Sequence, residues 1–128
     1  MSKLLLILSY ILFFFNVNLI AEEKNNSLKV GLLAPFTGEY KDLGNSLLLS
    51  IQLALDEIDD ENIIIIPRDS GSNNKIKLNK AIQEIIEEGA KVIIGPVNSN
   101  DFQDVNKFKE TIFISLSNIS PEINNNII

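Results

Sequence analysis

The spacing of hydrophobic residues changes several times along this chain, and each change marks an element. Leu28 to Ala34 is an apolar run with one lysine, as in a strand buried on both faces. From Asp42 to Asp59, Leu43, Leu47, Leu48, Ile51, Leu55 and Ile58 recur at helical spacing. Asp42 is placed to cap that helix, and Asp59-Asp60-Glu61-Asn62 ends it. Ile63 to Ile66 is a β-branched run that reads as a second buried strand, followed by a polar loop from Pro67 to Asn74. Ile76 to Glu88 reads as a second amphipathic helix, with Ile76, Leu78, Ala81, Ile82, Ile85 and Ile86 inward and Gly89 at the C-cap. Val92 to Ile94 is a third strand closed by Gly95-Pro96, Asp101 to Phe108 a short helix, and Thr111 to Leu116 a fourth strand. Ser117 to Ile128 is Asn-rich and has no clear period.

The resulting order is β-α-β-α-β-α-β. Strands alternating with helices predict an α/β fold, a doubly wound parallel sheet with right-handed crossovers and helices on both faces. The 128 residues fit one domain. No internal repeat interrupts it. The chain ends without a closing element, which suggests a piece of a longer protein.

The first residues follow a different logic. Lys3, the apolar Leu4 to Phe15 and Ala21 ahead of Glu22-Glu23-Lys24 have the layout of a secretory signal peptide over residues 1–21. Residues 22–27 are then a polar linker and 28–128 the folded part. Left uncleaved, the same segment would be an N-terminal anchor and the protein's contact with the membrane. Export predicts a periplasmic location.

Composition removes several kinds of chemistry. The chain has no Cys and no His, so disulfides, thiolate metal sites and Ser-His or Cys-His catalytic pairs cannot be built. The formal net charge of −6 disfavours nucleic acid as a partner. The acidic run Asp56, Glu57, Asp59, Asp60, Glu61 lacks the spacing and central Gly of a calcium loop and reads as a solvated helix end. The glycines form neither a dinucleotide nor a P-loop motif. No metal, no cofactor and no enzymatic activity are expected.

What remains is a binding crevice. Open α/β sheets bind ligands at the carboxyl ends of their strands. The loops after the first, third and fourth strands carry Phe36, Thr37, Tyr40, Asn98, Ser99, Ser117 and Asn118. These hydroxyls, amides and aromatic rings suit a small polar molecule held by hydrogen bonds and stacking, although small polar residues also simply make turns. Arg68, the chain's one arginine, and Asp69 follow the second strand. They read either as an ion pair at the crevice rim or as a ligand or partner contact.

At these residues the chain resembles a known family. VGLLAPFTGEYKDLGNSLLLSIQLALDEI, GAKVIIGPVNS and ISLSNISPEI are similar to the opening strands, turns and helix of type I periplasmic solute-binding proteins, the leucine/isoleucine/valine-binding group. The resemblance spans about residues 28–123. It implies the amino-terminal part of the first of two α/β lobes, with a small polar solute such as an amino acid and an ABC transporter permease as partners. It places Ser99 on the serine that holds an amino acid's carboxylate, Ser117 and Asn118 on the small polar positions after the fourth strand, and Phe36 and Tyr40 near the aromatic lid. Ile119 stands where the family usually has a threonine, which weakens a standard branched-chain amino-acid site. IIIIPRDSG, with GEYKDLGNSLLLSIQLAL, is closer to a branch known as penicillin-binding protein activators, whose partner is a peptidoglycan synthase. Two-lobe binders clamp their ligand by hinge closure. One lobe supplies half a clamp, so tight amino-acid binding by this chain alone is not expected.

Overall fold

A computed structural model describes residues 27–117 and 125–128. The signal-peptide segment, residues 22–26 of the linker and Asn118 lie outside the described residues. Four strands, β1 (Leu28–Ala34), β2 (Ile63–Asp69), β3 (Val92–Ile94) and β4 (Ile112–Ile114), form a parallel sheet in the order β2-β1-β3-β4. Helix α1 (Lys41–Ile58) connects β1 to β2, and α2 (Lys75–Glu87) connects β2 to β3. A short 3₁₀ turn (Ser99–Asp101) and α3 (Phe102–Val105) connect β3 to β4. This is the doubly wound α/β arrangement that the alternating pattern predicts.

The register assigns each strand residue to a face. Leu33 and Ile93 point to the side of α2, where they join Ile66, Leu78, Ile82, Ile85, Phe102, Val105 and Phe113 in one buried cluster. Leu32, on the opposite face of β1, is also fully buried, and α1 packs on β1. Each such aliphatic side chain contributes roughly 1.5–3 kcal/mol when fully removed from water. The two faces are covered unequally. Ile112 and Ile114, whose register places them opposite the α2 side, are 42% and 37% exposed, and Leu49 and Leu53 of α1 are 57% and 61% exposed. The dense core therefore sits between the sheet and α2–α3.

Several sequence expectations are corrected. β2 runs through Pro67 to Asp69 rather than ending at Ile66. Among the described residues it is an edge strand with a single hydrogen-bonded neighbour, where a residue lacking an N–H is tolerated. For the same reason its isoleucines are not uniformly buried, and Ile64 is 39% exposed. Ile76 is 82% exposed, because it occupies the first turn of α2 ahead of the residues that meet the sheet. Asp42 lies in the first turn of α1 and is not its cap; Tyr40 holds that position without a side-chain hydrogen bond. α2, by contrast, is capped by Asn74, whose Oδ1 accepts from the amides of Ile76 and Lys77, both at 3.1 Å. β4 is shorter than Thr111 to Leu116. The tail, without a period of its own, returns alongside it: Phe113 donates to the Asn126 carbonyl at 2.8 Å and accepts from the Ile128 amide at 2.9 Å. Buried Asn126 also donates from Nδ2 to the carbonyls of Phe108 and Thr111.

Two glycines permit the close packing. A Cβ on Gly31 would lie 2.5 Å from Cγ2 of Ile85, so its absence lets α2 settle onto the centre of β1. A Cβ on Gly44 would lie 2.2 Å from the Pro35 carbonyl oxygen, so α1 can start directly against the turn that follows β1. The second contact is with backbone and cannot be relieved by a rotamer change. Gly44→Ala is therefore expected to destabilise the fold by roughly 1–3 kcal/mol, in the range of overpacked sites. Thermal unfolding followed by circular dichroism should show a fall of about 4 °C or more in Tm. An unchanged Tm would contradict the contact.

Candidate functional site

The loops that leave β1 and β3 depart from the same edge of the sheet and feed helices on opposite faces. β1 and β3 are adjacent, so this is the topological switch point, where a crevice opens above the strand ends. The loop after β2 lies beside the loop after β1, because β2 pairs with β1 along its whole length up to Ala34↔Asp69.

Side-chain hydrogen bonds tie these three loops together. Asp69, the last residue of β2, reaches across to the β1 loop. Its Oδ1 accepts from the Phe36 amide at 3.0 Å, and its Oδ2 accepts from the Thr37 hydroxyl at 2.5 Å. Oδ1 also accepts from the Gly71 amide at 3.2 Å, which closes the start of its own loop. Ser72 Oγ then donates to the Thr37 carbonyl at 2.8 Å. On the other side, Asn98 Nδ2 donates to Asn73 Oδ1 at 2.8 Å, and Asn98 Oδ1 accepts from the Asn100 amide at 3.0 Å. The β2 loop is thus tied to both neighbours.

Between them lies a cavity of about 280 Å³. Pro35, Tyr40 and Leu43 line it from the β1 side. Ser70, Ser72 and Asn73 come from the β2 loop, and Val97, Asn98 and Asp101 from the β3 side. Tyr40 is 54% exposed and Asp101 only 8%. A mixed wall of this size, apolar on one side and rich in hydroxyl and amide groups on the other, suits part of a small polar molecule.

Two carboxylates at this edge behave oppositely. Partial burial works against ionisation of Asp69, but the Thr37 hydroxyl and the amides of Gly71, Phe36 and Thr37 outweigh it, and the carboxyl is held below its ordinary value of 3.8. Asp101 is raised above 3.8, first by burial and then by the Asp104 charge, with Lys75 opposing. Lys75 itself is committed to Asp104, its Nζ 3.2 Å from Oδ2.

The sequence candidates are placed unequally. Tyr40 and Asn98 line the cavity. Thr37 has its hydroxyl on Asp69 and its carbonyl on Ser72. The ring of Phe36 lies by Gly44 at the start of α1. Ser99 opens the 3₁₀ turn and accepts from the Phe102 amide. Ser117 follows β4, two strands from β1, and donates its amide to Ser115 Oγ at 3.2 Å. Arg68 and Asp69 do not pair with each other. Adjacent residues on a strand point to opposite faces. Arg68 turns to α2, where Nε donates to Glu84 Oε2 at 2.9 Å and Nη2 meets Glu88 Oε1. Sequence reasoning missed Ser70, Ser72, Asn73 and Asp101. Only the strand order places the β2 loop beside the crevice. Asp101 reads in sequence as an ordinary helix-start acid.

The same fold recurs in solved proteins. A family model described as "Periplasmic binding protein" matches residues 27–126. No curated protein matches the chain. An ABC transporter substrate-binding protein from Sphaerobacter thermophilus aligns with TM-score 0.62 and 22% identity, covering 70% of this chain and 26% of its own. An R. palustris ABC transporter solute-binding protein in complex with benzoate aligns with TM-score 0.61 and 28% identity, over 70% of this chain and 27% of its own. LpoA from Haemophilus influenzae aligns with TM-score 0.63 and 18% identity, over 80% of this chain and 19% of its own. The chain thus spans about a quarter or less of the length of these proteins.

The sign of the Asp69 shift sets a pH dependence. A depressed carboxyl stabilises the fold above its unfolded value and loses that contribution as pH falls through the folded value. Asp69→Ala should lower the urea midpoint at neutral pH, and the gap from the unaltered chain should persist down to the ordinary value of 3.8 and shrink only below it. A gap already closed at about pH 5, or unchanged through acid, would contradict the assignment.

Proposed function

The chain belongs to the periplasmic binding protein family, and we propose that it is the amino-terminal part of an exported receptor whose crevice holds a small polar solute for an ABC transporter. The observation that carries this reading is the cavity at the β1/β3 switch point, framed by loops tied through Asp69 and Asn98. A preformed site of this kind binds without having to order its own walls. In this reading Tyr40 closes over the solute and Asn98 offers an amide. Ser99 and Ser117 lie further along the same edge as contacts for a solute extending toward β4, Asn118 is the sequence's further candidate there, and Phe36 and Thr37 shape the rim. Arg68 contributes to the packing of α2 and not to the solute. The benzoate, 4-hydroxybenzoate and 3,4-dihydroxybenzoic acid complexes among the structural relatives favour small solutes over macromolecules. The apolar amino-terminal segment and the family together support export to the periplasm.

A second reading is favoured by the LpoA likeness, which covers more of this chain than the transporter proteins do, and by the IIIIPRDSG phrase. It assigns the chain to a module that contacts a peptidoglycan synthase. The two readings differ in what meets the crevice.

A titration of the isotope-labelled chain with a panel of amino acids, aromatic acids, amines and sugars, read by amide NMR, separates them. One lobe supplies half a clamp, so affinities of about millimolar are expected. Shifts should be confined to residues 35–40, 70–73 and 97–101. No shift with any solute, alongside binding of a purified peptidoglycan synthase, would replace the transport reading with the second one.

A further inference from the structure

Among the described residues the cavity is lined by one charged side chain, Asp101, and by no lysine or arginine. Asp101 is 8% exposed and stands on the wall of the cavity. The amides nearest in sequence are committed elsewhere: Asn98 Oδ1 takes the Asn100 amide, and the Asn98 carbonyl takes the amide of Asp101 itself at 3.1 Å. A carboxylate on a cavity wall is a strong acceptor for the donor of an entering molecule.

The charges around it point one way. Asp104 stands near Asp101 and disfavours a second negative charge there. Lys75, the one nearby cation, is engaged by Asp104 and is 67% exposed. Arg68 is held on the α2 face by Glu84 and Glu88. A carboxylate entering this cavity would meet like charge at Asp101, with Lys75 already engaged by Asp104, whereas an ammonium group would satisfy Asp101. Tyr40, with its ring exposed at the mouth, supplies a π face, and such faces attract cations. The hydroxyls of Ser70 and Ser72 supply further acceptors at the opposite wall.

We propose that Asp101 makes this cavity select a protonated amine, so that the solute enters it ammonium end first and carboxylates are excluded. This rests on the solute-binding reading of the crevice and adds the class of ligand. It sets this chain apart from relatives seen in complex with benzoate and its hydroxylated forms.

The test is a matched-pair titration of the full chain by amide NMR at neutral pH. Primary amines of several lengths, aliphatic and aromatic, are each compared with the carboxylate and the alcohol on the same skeleton; benzylamine, benzoate and benzyl alcohol form one set. Amines should shift residues 97–101 and 70–73 with at least tenfold tighter binding than their carboxylate and alcohol partners. Carboxylates or alcohols binding in the crevice as well as the amines would overturn the proposal while leaving the solute-binding reading standing. No binding by any member would overturn both. Asp101→Asn keeps the shape and removes the charge, and it should abolish the amine preference. An unchanged preference in a folded Asp101→Asn chain would remove Asp101 from the role. The matched pairs on the unaltered chain decide the question even if the variant does not fold.

Discussion

The carboxyl end of this sheet depends on one carboxylate. Asp69 ends an edge strand and is the point where the β1 and β2 loops are joined by charge-assisted hydrogen bonds. Without it, the amides of Phe36 and Gly71 and the hydroxyl of Thr37 lose their common acceptor, and the Pro35–Tyr40 turn has only Ser72 and the α1 packing to position it. The turn in turn places Tyr40, and Tyr40 forms one wall of the cavity. Asn98 does the corresponding work on the β3 side with a neutral amide pair.

The packing behind that edge is asymmetric, and the asymmetry has a simple origin. α2 is amphipathic with its apolar residues on one side: Leu78, Ala81, Ile82 and Ile85 are buried in one cluster with Ile66 and Ile93 of the sheet, and Ile85 fills the space that a Cβ on Gly31 would need. α1 is apolar over more of its circumference and covers mainly β1. Its leucines, together with Ile112, Ile114 and Leu116, form apolar surface. The chain spans about a quarter of the length of the related substrate-binding proteins.

Much of the fold was legible because local pattern and global architecture agree. The bounds of β1 and β3, the alternation of strands with helices, and Gly89 just past α2 follow directly from runs, periods and turn chemistry. The failures have physical causes. Periodicity could not reveal that β2 lies at an edge, so it overstated the burial of Ile63 to Ile66 and stopped the strand at a proline that an edge tolerates. It could not place Ile76, whose spacing fits the buried face but whose first-turn position lies beyond the sheet. At the site, Tyr40 and Asn98 were visible as polar or aromatic loop residues after strands. Ser70, Ser72 and Asn73 became site residues only through the strand order. The partnership of Asp69 with Thr37 joins residues distant in sequence that no motif connects. Arg68 was conspicuous for its rarity, and the structure pairs it with Glu84 of α2 and with Glu88 at that helix's C-cap.

The account's central claim is that the crevice is preorganised by the Asp69 tie. Native-state amide hydrogen exchange tests this directly, because Phe36 and Gly71 lie in loops outside the sheet and their amides are satisfied by that carboxylate alone. The account predicts that both are protected at neutral pH to a degree approaching the β1 amides. Exchange at the rate of an unstructured chain at Phe36 and Gly71, with β1 still protected, would contradict it.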